Sequence, residues 1–172
     1  MRYIYLLLTI LLFSCDPQWR DNSSFMAYEP IYISKEEANS IGPRAARQTL
    51  APGKIYAYGN YLFQVEQHQG IHIIDNSVPQ QAHKISFLNV PAASELAVKD
   101  GFLYTNNLDD LVVFDISDIN SPRLVNRMEN AFPEISQDYP PVNGAYFKCV
   151  DPSKGVVVGW EEKLVENPKC RR

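Results

Sequence analysis

Three observations predict an all-β fold: a stretch of about 40 residues that occurs twice, apolar runs that end in Asp, and turn dipeptides separating short strands. The expected architecture is two four-stranded antiparallel propeller-like blades plus a C-terminal hairpin, with a short N-terminal helix after a signal peptide. The chain has 172 residues, of which 45% are apolar and 21% charged, so a folded chain is expected rather than a disordered one. Sixteen Lys and Arg against twenty Asp and Glu give a net charge of −4. No basic stripe is present, so nucleic acid is not an expected partner.

The chain opens MRYIYLLLTILLFSC, with Arg2 followed by an apolar run from Tyr3 to Phe13 broken only by Thr9. A membrane span needs about 20 apolar residues, so this run has the length of an export signal instead. Its end, Leu12-Phe13-Ser14-Cys15, resembles the lipobox of bacterial lipoproteins. The resemblance implies a signal peptide over residues 1–14 and a mature chain lipidated at Cys15, palmitate being among the acyl chains. Each buried methylene would add about 0.8 kcal/mol of membrane affinity. The implied location is the cell envelope, with the outer membrane the expected site of anchoring. Residues 15–30 are rich in Asp, Asn and Ser without periodicity and read as a flexible tether. Residues 31–52 read as a short helix and a linker. Ser34-Lys35-Glu36-Glu37 is a capping box, Gly42-Pro43 stops the helix, and Arg44 and Arg47 form a solvated basic spot.

Residues 53–91 and 92–130 are the two expected blades. Tyr61-Leu62-Phe63 corresponds to Phe102-Leu103-Tyr104, and Asp75, Ser77 and Ile85 correspond to Asp115, Ser117 and Val125. In each copy a first strand (Lys54 to Tyr58; Glu95 to Lys99) leads into Gly59-Asn60 or Asp100-Gly101. These residue types tolerate the positive φ of two-residue hairpins. A second strand follows (Tyr61 to Gln67; Phe102 to Asn106), then a nearly all-apolar third (Ile71 to Asp75; Leu111 to Asp115), expected to be buried on both faces. A loop then precedes a fourth strand near Ala82 or Arg123. DLVVFDISDINSPRLV at Asp110 to Val125, and more loosely GIHIIDNSVPQQAHKI at Gly70 to Ile85, resemble the LVIVD repeat. That resemblance implies a propeller-like repeat of bacterial surface lipoproteins whose biochemical role is largely undefined. Asp75, Ser77, Asp115 and Ser117 are expected to fix turns by bonding nearby backbone N–H groups. The donor spacing around Asp115 does not fit a calcium loop, and no metal is expected.

Residues 131–172 read as a proline-spaced segment, a hairpin (Ala145 to Val150, Val156 to Trp160) and a frayed polar tail. Cys149 and Cys170 either pair, as the exported location would allow, or remain two free thiols. His68 and His72 are expected as exposed hairpin residues. The adjacent carboxylates Asp109-Asp110 and Glu161-Glu162 point to opposite faces of a strand. No nucleophile motif or phosphate loop is present, so neither catalysis nor a cofactor is expected. The function expected is a lipid-anchored binding or scaffolding module. Its partner would be another copy, or an unknown envelope protein or glycan, because two blades leave open edges. The alternatives are an envelope glycan hydrolase and a truncated remnant of a longer repeat lipoprotein.

Overall fold

The computed structural model describes residues 23–133 and 137–172; Cys15, the signal peptide and the first part of the expected tether lie outside them. In chain order the elements are β1 (Ser24–Ile33), α1 (Lys35–Asn39), β2 (Gly42–Ala45), β3 (Pro52–Tyr58), β4 (Tyr61–Glu66), β5 (Gly70–Asp75), β6 (His83–Asn89), β7 (Leu96–Lys99), β8 (Phe102–Asn107), β9 (Asp110–Asp115), β10 (Arg123–Met128), β11 (Tyr146–Phe147), β12 (Val156–Glu166) and β13 (Cys170–Arg171). The chain is mostly β, arranged as three sheets of four or five strands that do not form a closed propeller.

Each repeat makes one antiparallel sheet. The first has the order β2-β6-β5-β4-β3 and the second β10-β9-β8-β7. Hairpins β3–β4 and β7–β8 turn where the dipeptides lie. Asp100 and Gly101 both adopt positive φ, at 51° and 80°, which matches the twist of the flanking strands. The first sheet has one strand more than expected. Gly42–Ala45, anticipated as linker, pairs with Ser86–Asn89 at its outer edge.

Side chains alternate across a strand, so each sheet has two faces. One face of the first sheet carries Phe63, Ile71, Ile73 and Leu88, and packs on Val98, Leu103, Val112 and Phe114 of the second. Phe63, Ile71, Ile73, Leu88, Leu103, Val112 and Phe114 are wholly buried there. At roughly 1.5–3 kcal/mol for each buried side chain, this shared core is the main term joining the blades. The Tyr56 hydroxyl donates to the Val98 carbonyl (3.4 Å) and Lys54 pairs with Glu95, so the two first strands are also tied at their edges.

The third sheet, ordered β12-β1-β11-β13, overturns three expectations. Residues 24–30 are not tether. They belong to β1, which pairs antiparallel with β12 from Ser24↔Glu166 to Ile33↔Val156. The expected C-terminal hairpin does not form either, because β1 lies between its two strands and runs parallel to β11 at Tyr28↔Phe147. Backbone pairing with a strand from the other end of the chain replaces the local contact that the turn at 151–155 suggested. The polar tail is ordered as well: β12 continues to Glu166, and β13 pairs with β11 at Tyr146↔Arg171. A disulfide between Cys149 and Cys170, Cα atoms 5.2 Å apart, fastens this end. Phe147 meets Trp160 (5.3 Å) and Tyr139 (6.1 Å) edge to face, and the Trp160 N–H donates to the Gln137 carbonyl.

Helix α1 is one short turn. Ser34 accepts from the Glu37 N–H (3.1 Å) while Glu37 accepts from the Ser34 N–H (2.9 Å), so two otherwise orphaned donors are satisfied reciprocally.

Candidate functional site

The two repeat loops share a side-chain-to-backbone turn. Ser77 N–H donates to Asp75 Oδ1 (2.8 Å), and Ser117 donates to Asp115 Oδ1 through both N–H (2.9 Å) and hydroxyl (2.6 Å). Hydrogen bonds from Ser77 and Ser117 hold the Asp75 and Asp115 carboxyls below their ordinary range. A third copy of this turn was not anticipated. Ser153 donates to Asp151 Oδ1 through N–H (3.0 Å) and hydroxyl (2.6 Å), ahead of β12. The signal was there in Val150-Asp151-Pro152-Ser153, an Asp at a strand end with Ser two residues on. Among the described residues no group of His, Cys, Asp and Glu has a metal-binding arrangement.

The two outward blade faces differ. On the first blade, residues 46–51 form a strap across the face. Lys84 Nζ donates to the Arg47 carbonyl (3.0 Å) and to Thr49 Oγ1 (2.7 Å), and the Leu50 and Ala51 N–H groups donate to Glu66 Oε1 (2.9 and 2.6 Å). The Arg47 guanidinium stacks 3.8 Å from the Phe87 ring centroid. Beneath the strap Glu66 Oε2 and His72 Nε2 are 2.8 Å apart, both side chains wholly buried, and His72 Nδ1 has no partner. His72 is therefore not the exposed hairpin residue expected. It sits mid-strand in β5, where both faces are covered, and burial lowers its pKa, reinforced by the Lys84 and Arg47 cations. Burial alone would raise Glu66, but hydrogen bonds from Ala51, His72 and Leu50 outweigh it and the carboxyl is held low.

On the second blade no such strap crosses the outward face among the described residues. By register this face carries Phe102, Tyr104, Leu111, Val113 and Met128, with Lys99, Asp115, Arg123, Asn106 and Asn126 in the same rows; Val113 is buried among its neighbours. Phe102 is 37% and Met128 55% exposed. Ala97, Tyr104, Leu111 and Phe132 line a groove of about 220 Å³.

A cavity of about 590 Å³ lies where the third sheet crosses the first blade. Ile31, Ile33 and Val158 form one wall, Gln67, His68 and Gln69 another, with Glu37, Arg44 and Asn89 at the helix side. His68 Nδ1 lies 2.9 Å from the Val158 carbonyl; a carbonyl only accepts, so Nδ1 carries the proton. The approach needs Gly159, since a Cβ there would overlap the imidazole. His68 is thus half-buried and docks the third sheet, a role its place in a polar turn concealed.

The named carboxylates do not converge. Asp110 is buried and engaged by Arg127 (2.7 Å to Nε) and the Asn130 N–H (2.8 Å), while Glu161 pairs with Lys163 (3.2 Å) at the surface. Asp109 faces a different cavity, of about 430 Å³, beside Val156 and Val157.

Two stretches, residues 53–81 and 92–130, match the LVIVD repeat. The chain carries two LVIVD repeats. They coincide with the two blades, the first match ending before β6 and the second taking in β7 to β10. No curated protein and no solved structure matches the chain.

Proposed function

We propose that this chain is a lipid-anchored, non-catalytic binding module of the bacterial cell envelope, attached through Cys15 and acting through its surfaces. The observation that carries the binding role is the contrast between the two LVIVD blades. One outward face is sealed by a strap; the other has no strap among the described residues and carries an apolar groove, the character of a docking face rather than of a reaction site. Export is supported by the apolar run ending in Cys15, which has the length of a signal and not of a span, and by the Cys149–Cys170 disulfide, a bond at home in an oxidising compartment. Among the described residues no helix is long and apolar enough to cross a membrane.

The test is metabolic labelling with a tagged fatty acid in cells making the wild-type chain or Cys15→Ala. Label on the wild type alone, with the protein in the outer-membrane fraction, is the expected result. Recovery of the wild-type chain from the aqueous fraction with residues 1–15 intact would overturn the anchoring.

A further inference from the structure

We propose that the open face of the second blade is a pairing surface for a second copy of the chain, the two faces meeting across a two-fold axis. The inference rests on the binding-module reading and names the partner of that face.

The repeat itself defines what the face is built to do. The first blade packs on the second through Phe63, Ile71, Ile73 and Leu88. Aligned repeat on repeat, with Tyr61-Leu62-Phe63 over Phe102-Leu103-Tyr104 and Asp75 over Asp115, these positions become Tyr104, Leu111, Val113 and Met128. The cross-strand rows agree: Phe63↔Ile73↔Ser86 becomes Tyr104↔Val113↔Asn126, and Ile71↔Leu88 becomes Leu111↔Met128. The second blade therefore carries on its outward side the positions by which the first blade grips its neighbour, with Met128 exposed, Tyr104 and Leu111 half-buried and Val113 buried between them. A sheet face of this kind is stable when another sheet covers it.

Head-to-tail addition of a copy is blocked. The face that would receive it is the outward face of the first blade, where the positions of Thr105 and Val112 are taken by Gln64 and His72 and the strap is bonded across. This is the polar outer face of a terminal repeat. With one end sealed, the blade face that a second copy offers is the equivalent one, and pairing of the two closes the assembly at two. Charge permits it although the chain is acidic overall. At the rim Asp115 is paired with Arg123 (3.2 Å) and Glu95 with Lys54, so no block of like charge confronts itself. One blade is a small interface, so association is expected to be weak in solution and favoured by confinement at a membrane.

The test is sedimentation equilibrium of the detergent-extracted full chain up to about 0.2 mM, a range suited to weak interfaces. A monomer–dimer equilibrium is expected, weakened at least tenfold by Met128→Lys and unchanged by Leu50→Lys on the strap. Phe102→Lys, also at an exposed position, serves if the first variant folds poorly. A monomer throughout, or a dimer indifferent to both face variants, overturns the pairing. A photo-crosslinker at position 128 in intact membranes separates this failure from failure of the underlying reading. An adduct of twice the chain mass supports the dimer. An adduct with a different protein, or an internal link to residues 1–22, overturns self-pairing; the former leaves the binding module standing. No adduct, together with a monomer, removes both.

Discussion

Glu66 and His72 lie 2.8 Å apart in adjacent strands, both shut off from solvent, with the Glu66 carboxylate also holding the strap by its Leu50 and Ala51 N–H groups. Replacing Glu66 by Ala would leave three donors without an acceptor, and a loss of about 3 kcal/mol is expected in denaturant unfolding. Retention of full stability would show that the strap does not depend on this carboxylate.

The same pair fixes a pH dependence. Both folded-state pKa values are lowered, so the folded protein binds fewer protons than the unfolded chain and stability falls as pH falls. For His72 the loss begins below its ordinary value of 6.5, and for Glu66 below 4.5. Unfolding curves between pH 8 and 4 are expected to show a decline starting near 6.5. His72→Val places here the residue type that the second repeat carries at Val112 and should flatten the upper part of that decline.

The Asp–x–Ser turns are expected to matter alike in all three places. Asp115→Ala and Asp151→Ala should each lower the melting temperature by a few degrees, and added calcium should leave the wild-type transition where it is. A calcium-dependent rise would convert these turns from structural to ligand-binding features.

Breaking the Cys149–Cys170 link acts on the third sheet alone. The bond closes a loop of 21 residues, for which the double variant Cys149→Ser/Cys170→Ser is expected to lose about 3 kcal/mol. Hydrogen exchange should show faster opening of β13 and β11, with the shared core of the blades unchanged.

Gly159→Ala places a methyl against the His68 ring and is expected to cost about 2 kcal/mol by overpacking. Combining it with His68→Gly should recover part of that loss. Additive losses in the double variant would mean that the two residues do not meet.

The blades were legible in the sequence because their contacts are local. Alternating strands, the Asp100-Gly101 turn and the apolar runs at 71–75 and 111–115 each fix their neighbours within a few residues. The third sheet was not, because β1 and β12 come from opposite ends of the chain and β11 and β13 are two residues long, too short for a period. The turn chemistry at Asp151–Gly155 was real, but a turn does not say that the strands beside it pair. His72 was misread for the opposite reason. A polar side chain beside a turn suggests exposure, and the buried Ile71 and Ile73 on either side of it speak only for the other face of the strand; its own face is covered by the strap, which the local sequence does not show. The contrast between the sealed and open blade faces lay in four letters, Gln64 and His72 against Thr105 and Val112, whose meaning appears only once the strap over the first pair is known.

Since β1 starts at Ser24, beside Glu166, a lipid on Cys15 would leave the body a leash of about 30 Å even if fully drawn out. The end of the third sheet at Ser24 and Glu166 would then be the part tied within that reach of the bilayer. A neighbour standing on the same leaflet would be met from the side, on a plane instead of through a volume.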